Sequence, residues 1–210
     1  KPRWNADLKR LVDDVDLEDD IEAVIRQLSY RSNRYCFGDC EADCDFCCGG
    51  GDFSGRRRWH RGSKLEQWMN LAIKQAIKAE DEGEIPVGAI LVKDGLLIAK
   101  AHNQPISTND ATAHAEIQLI RTAGKKQENY RLTGTSLYVT LEPCAMCLGA
   151  MMHARIERIV YGAHDPKTGV CGSSENLIDA NCFNHKIDLV SGVLENECKQ
   201  LLKKFFISRR

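Results

Sequence analysis

Pro86-Val-Gly-Ala-Ile-Leu-Val92, Lys93-Asp94-Gly95 and Leu96-Leu-Ile-Ala-Lys-Ala101 follow one another, and their order decides the fold class. Two apolar runs joined across Lys-Asp-Gly predict a β-hairpin, because Asp-Gly supplies the positive backbone angles of a tight turn. Upstream, Trp68, Leu71, Ala72, Gln75 and Ala76 recur at helical spacing and predict a helix that ends before Asp81-Glu82-Gly83. Downstream, residues 113–123 predict a helix closed by Gly124, residues 136–140 a strand, and residues 144–154 a short helix. Residues 158–161 and 187–190 predict two further strands, and residues 194–206 a terminal helix. A hairpin followed by helices and strands in alternation implies a layered α/β domain on a mixed sheet.

The chain has 210 residues, room for one ordinary domain and a small appendage. A hydrophobic content of 43% supports a single buried core and excludes a wholly disordered chain. The formal charge of -1 excludes a nucleic-acid reader that works by bulk positive charge, but not one with a local basic patch. No apolar run approaches the about 20 residues that span a bilayer, so no membrane partner is expected. The opening Lys1-Pro2-Arg3-Trp4 has neither an initiator Met nor the apolar core of a signal peptide. A cytoplasmic location is the expectation, with the interior of a plastid or mitochondrion as the alternative for a processed product. Ten cysteines without export signals point to metal binding or redox chemistry before a disulfide scaffold.

The cysteines divide the chain. Residues 1–62 form a Cys-rich N-terminal extension, and residues 63–210 the domain with the alternating elements. In the extension, Leu8, Leu11, Val12, Val15, Ile21, Val24, Ile25 and Leu28 suggest one or two amphipathic helices. Cys36, Cys40, Cys44, Cys47 and Cys48 follow, then Gly49-Gly50-Gly51, the basic run Arg56-Arg57-Arg58-Trp59, and a linker at Gly62-Ser63. An appended, partly disordered segment is the default reading, and a small zinc or iron–sulfur module the alternative.

The chemistry lies in two short motifs. His114-Ala115-Glu116 falls at the start of one predicted helix, and Glu142-Pro143-Cys144-Ala-Met-Cys147 opens another. One imidazole and two thiolates give zinc three ligands and leave its fourth position to water. Helix N-termini favour anionic sulfur, and Pro143 suits a first helical turn, so Cys144 and Cys147 fall on one face. Glu116, two positions past His114, is a proton shuttle: a carboxylate beside an activated water takes its proton and can return it to a ring nitrogen or a leaving amine. H-x-E…P-C-x-x-C is the established signature of zinc deaminases. Taken singly, a CxxC pair could be redox-active and a lone His a core residue; together, each at a helix start, they point to one metal centre. Cys171, Cys182 and Cys198 stand alone and are expected to be buried as small apolar groups.

Residues from about Leu65 to Arg210 resemble the bacterial tRNA-specific adenosine deaminases. The resemblance is carried by Glu84-Ile-Pro86-Val-Gly-Ala, Asn103-Gln-Pro105, Asp110-Ala-Thr-Ala-His114-Ala-Glu116, Leu137-Tyr-Val-Thr-Leu-Glu-Pro-Cys144-Ala-Met-Cys147, Gly162-Ala-His-Asp165-Pro-Lys167-Thr-Gly169 and the tail through Phe205, Phe206, Arg209 and Arg210. It implies a three-layer α/β/α cytidine-deaminase-like fold with a central mixed five-stranded sheet, a homodimer, and adenosine at the wobble position of a tRNA anticodon stem-loop as substrate, converted to inosine. It implies one Zn2+ held by His114, Cys144 and Cys147, with water attacking C6, Glu116 moving protons and ammonia leaving. Asn103 matches a nucleoside-binding residue, Ala115 a position where a backbone amide meets the base, and Val87 a pocket wall. Phe205, Phe206, Arg209 and Arg210 match a terminal helix near the RNA, where aromatics with flanking cations could stack bases; core phenylalanines with a solvated basic end are the alternative reading. The extension departs from the family's pattern.

Two other readings remain at this point. One is a zinc deaminase of a free base or nucleotide, such as guanine or a cytosine derivative; the aromatic, basic tail argues against it. The other is a non-catalytic zinc-bearing RNA-binding subunit. Glu116 argues against that one, and a fourth protein ligand would favour it.

Overall fold

The computed structural model describes residues 63–180 and 183–209. The readings made at Cys36, Cys40, Cys44, Cys47, Cys48, Cys182 and Arg210, and of the extension as a whole, lie outside the described residues.

Helix α1 (Lys64–Asp81) opens on a capping box: Ser63 Oγ accepts the Glu66 amide and the Glu66 carboxylate accepts the Ser63 amide. The predicted hairpin follows as β1 (Gly88–Lys93) and β2 (Leu96–His102), antiparallel, with a register shift between Leu91 and Val92. Asp94 and Gly95 take φ of 50° and 72°, as an Asp-Gly turn requires. A one-turn helix, α2 (Pro105–Thr108), is too short to show periodicity in the sequence. Helix α3 (Ala115–Gln127) does not stop at Gly124 as expected. It runs through that glycine to Glu128, whose left-handed backbone (φ 50°) lets its amide close on the Gly124 carbonyl. Strand β3 (Thr135–Leu141), helix α4 (Ala145–His153), strands β4 (Arg158–Ala163) and β5 (Asp188–Val190), and helix α5 (Glu195–Ser208) complete the domain.

The described strands form one five-stranded sheet in the order β2-β1-β3-β4-β5. β1 is antiparallel to both β2 and β3, while β3, β4 and β5 are parallel, so the sheet is mixed as expected. Alternation along the strands sends side chains to opposite faces. Ala89, Leu91, Leu137, Val139, Ile159 and Tyr161 pack with Leu119 of α3 and Leu148 and Met151 of α4. Ile90, Val92, Tyr138 and Val160 pack with Met69 and Ala72 of α1 and Cys198 of α5. The result is the three-layer α/β/α arrangement.

The α1 face lies close to the sheet at one point. A Cβ on Gly88 would stand 2.2 Å from the Ala72 carbonyl oxygen and 2.3 Å from the Ala76 nitrogen. Backbone cannot rotate away as a side-chain end can. Gly88→Ala is expected to destabilise the domain by about 3 kcal/mol, read as a lower urea midpoint with an unchanged denaturant slope.

Candidate active site

The two motifs meet because each sits at the start of a helix on the same face of the sheet. His114 is the N-cap of α3 (φ −66°, ψ 154°) and Cys144 the N-cap of α4 (φ −80°, ψ 172°). Neither side chain caps its own helix, so imidazole and thiol are free for another partner. His114 Nδ1 lies 3.8 Å from Cys144 Sγ and 3.5 Å from Cys147 Sγ. Ligands at about 2.0–2.3 Å from a tetrahedral zinc ion stand about 3.5 Å apart, so the donor set fits that ion by spacing as well as by chemistry. Among the described residues, His, Cys, Asp and Glu supply this group with three members and no fourth. A catalytic site with one coordination position left to water has this composition.

The charges are arranged for a cation. The Cys144 thiol is drawn down to about 4, first by its hydrogen bond with Cys147 and then by His114, against the cost of burial. Cys147 is pushed far up, first by the same bond and then by burial. The Cys144 hydrogen bond raises His114 against the effect of burial. Glu116 sits in the first turn of α3, 4% exposed, and burial pushes its carboxyl up to about 7. A buried carboxylate beside two thiols and an imidazole is the arrangement from which a proton is taken and given near neutral pH.

A second group of residues is tied to the start of α3 by hydrogen bonds. Asn103, 5% exposed, follows β2, and its Oδ1 accepts the Ala115 amide at 2.8 Å. Its own amide donates to the Val87 carbonyl at 3.0 Å, which ties the buried Val87 to the same corner. The structure thus brings Val87, Asn103 and Ala115 together. The Ala115 amide, expected at the base, is held by the Asn103 side chain, because an amide oxygen 2.8 Å away satisfies it.

A model of the cytidine and deoxycytidylate deaminase zinc-binding region matches residues 62–163. The tRNA-specific adenosine deaminase of Bacillus subtilis (strain 168) is 50% identical over 141 residues, 67% of this chain and 88% of the relative. That of Haemophilus influenzae is 50% identical over 146 residues, 69% and 84% of the two chains. A solved structure from studies of A-to-I editing by tRNA:A34 deaminases at the wobble position is 44% identical. It superposes with a TM-score of 0.63 over 65% of this chain and 99% of that one.

The chain belongs to the tRNA-specific adenosine deaminase family.

Its domain is a zinc-dependent deaminase domain, and His114, Cys144 and Cys147 are positioned as the metal site. Two buried carboxylates that sequence reasoning left without a role support this deaminase site. Glu84, 1% exposed, accepts the Ile106 and Ser107 amides at 3.2 and 2.7 Å, holding α2 beside Asn103. Glu142, 3% exposed, lies two residues before Cys144 and accepts amides from the loop after β4. Their only sequence signal is a glutamate just before a proline-bearing turn. In that loop the Asp165 carboxylate accepts the Lys167 and Thr168 amides and the Thr168 hydroxyl, a turn closed on itself. Cys171 and Cys198 are buried as expected, and burial pushes each thiol up to about 12.

The terminal pair divides. Phe205 is 5% exposed, with the Arg209 guanidinium 4.6 Å from its ring centroid, and Arg209 donates to the Gly83 carbonyl at 2.7 Å. That burial makes Phe205 an anchor of α5, where a base-stacking role was expected. Phe206, on the neighbouring helical direction, is 51% exposed.

Four variants test this assignment. Glu116→Gln is expected to keep about one zinc per chain by elemental analysis, whereas His114→Ala loses it. Phe205→Ala is expected to cost about 3 kcal/mol of stability. Phe206→Ala should leave the melting temperature within a degree or two, because an exposed side chain away from packing contributes little.

Proposed function

We propose that this chain hydrolyses the exocyclic amine of adenosine at the wobble position of a tRNA anticodon, releasing ammonia and leaving inosine. The observation that carries the reading is the three-donor cluster of His114, Cys144 and Cys147 with Glu116 buried beside it at the first turn of α3. The substrate is carried over from relatives half identical over most of their length, named tRNA-specific adenosine deaminase, and the wobble position from the similar structure of a tRNA:A34 deaminase.

Zinc bound by the three donors supplies the Lewis acidity that makes water nucleophilic near neutral pH. The chain's own residues do the rest. Glu116 takes a proton from the attacking water and delivers it to the N1 edge of the purine as the C6–O bond forms. It then moves the second water proton to the amine, which leaves as ammonia as the C6 carbonyl forms. Asn103 has its oxygen committed to Ala115, so it presents its amide hydrogens to an acceptor on the base. Val87 closes the apolar side of that corner. A base inside a duplex cannot reach buried donors, and an anticodon loop offers one that is already splayed. Phe206, exposed near the end of α5, supplies an aromatic face on which a base of the loop stacks.

The same proposal includes a homodimer. Ile106 and Met146 leave apolar side chains 59% and 36% exposed on the segments that carry Asn103 and Cys144, and a second copy would cover them. No helix among the described residues is long and apolar enough to cross a membrane. The reaction places the protein where its tRNA is, in the cytoplasm or inside an organelle.

The test uses two anticodon stem-loops, one with adenosine at the wobble position and one with that adenosine moved elsewhere in the loop. Inosine is expected at the wobble position alone. Glu116→Ala is expected to lower the rate by at least about a hundredfold with zinc retained. Light scattering on the same preparation is expected to give twice the chain mass. Zinc-loaded, folded protein that leaves both stem-loops unchanged, yet deaminates a free purine or cytosine derivative, would overturn the RNA assignment.

A further inference from the structure

Outside the reacting groups, Glu142 gathers the most concentrated set of partners among the described residues. It lies in the run Leu141-Glu142-Pro143-Cys144, and its carboxylate is buried. Oε1 accepts the Cys171 amide at 2.9 Å and the Ser173 amide at 3.1 Å. Oε2 accepts the Asp165 amide at 3.0 Å and the Ser173 hydroxyl. His164 Nδ1 stands 3.7 Å from Oε2. Four donors from one loop therefore converge on one carboxylate, which serves that loop as a built-in anion.

The loop so held is laid directly on the metal-bearing turn. Val170 donates to the Pro143 carbonyl at 3.1 Å, and Cys144 and Gly169 form an antiparallel bridge. The space is closed to anything larger. A Cβ on Gly169 would stand 2.5 Å from the Glu142 carboxyl carbon and 2.6 Å from the Asp165 carbonyl oxygen. Through these contacts, the position of the Glu142 carboxylate is transmitted to the backbone that aims the Cys144 sulfur.

We propose that Glu142 is a positioning residue for the metal centre: by gathering the amides of Asp165, Cys171 and Ser173 it seats the loop on Pro143 and Cys144, fixing the direction of the Cys144 ligand. The inference rests on the zinc-deaminase reading above. A ligand held by backbone alone could swing, and partners one step removed from a metal typically change its affinity or the activity by about 10–100-fold. Glu142→Gln keeps the size but turns one oxygen into a donor, which then faces amide donors instead of accepting from them.

The readout that does not depend on turnover is release of zinc to a colorimetric chelator, measured where circular dichroism shows each variant fully folded. Glu142→Gln is expected to release zinc about tenfold faster or more, and to lower kcat by a similar factor with KM for the stem-loop within about twofold. Ser173→Ala removes one donor and leaves the carboxylate, so it shifts both quantities the same way by a smaller factor. It carries the test if Glu142→Gln does not fold. Thr168→Ala breaks a bond in the same loop that does not involve Glu142, and it is expected to release zinc at the parent rate. A lowered melting temperature with zinc release and kcat unchanged would overturn the proposal, as would Ser173→Ala behaving like Thr168→Ala. Should the parent protein make no inosine, the chelator comparison still decides the role of Glu142 separately from the substrate.

Discussion

Two helix N-termini must meet before this domain has any chemistry. His114 comes from the start of α3, and Cys144 and Cys147 from the start of α4, with donor atoms within 4.8 Å of one another. Neither motif alone binds a catalytic ion, since one offers a single imidazole and the other two thiols. The five-stranded sheet sets the distance between them. β2 leads into the segment before α3, β3 into α4, and β1 lies between those strands. The close approach of α1 at Gly88 fixes the opposite side of β1. Each N-terminus also adds unpaired amides and a positive dipole end, which favour anionic sulfur.

Placing the segments between the helices takes further work, and here it falls to buried carboxylates. Glu84 holds the turn beside Asn103 by two amides, and Glu142 holds the loop beside Cys144 by three amides and a hydroxyl. Loops rarely find partners for their backbone groups when buried, so a side chain that accepts several at once lets irregular chain lie against a reactive centre. The pattern differs from a surface ion pair, whose contribution is small and screened by salt.

How much of this was legible depended on sequence distance. The hairpin was readable because Asp94-Gly95 dictates its own turn, and the two site motifs because their members stand only two and three positions apart. The end of α3 was misread: Gly124 signals a stop, but Glu128 takes the left-handed position and the helix passes through. Helix α2 has one turn and therefore no period to detect. The roles of Glu84 and Glu142 were invisible because their partners lie 22 to 31 residues away, beyond any local pattern. Phe205 and Phe206 are indistinguishable as letters. Successive helix positions point about 100° apart, so one is buried under Arg209 and the other faces outward.

The origin of the donors in both halves of a mixed sheet has a thermodynamic consequence. His114 follows the antiparallel half and the cysteine pair stands in the crossover of the parallel half. A chain with both halves formed but undocked holds two thiols on one side and one imidazole on the other, and binds metal weakly. Metal that prefers the docked state stabilises it by mass action, growing with the logarithm of its free concentration. Occupancy at this site therefore reports long-range assembly of the sheet, and the ion that serves the reaction also selects the finished molecule from its partly folded forms.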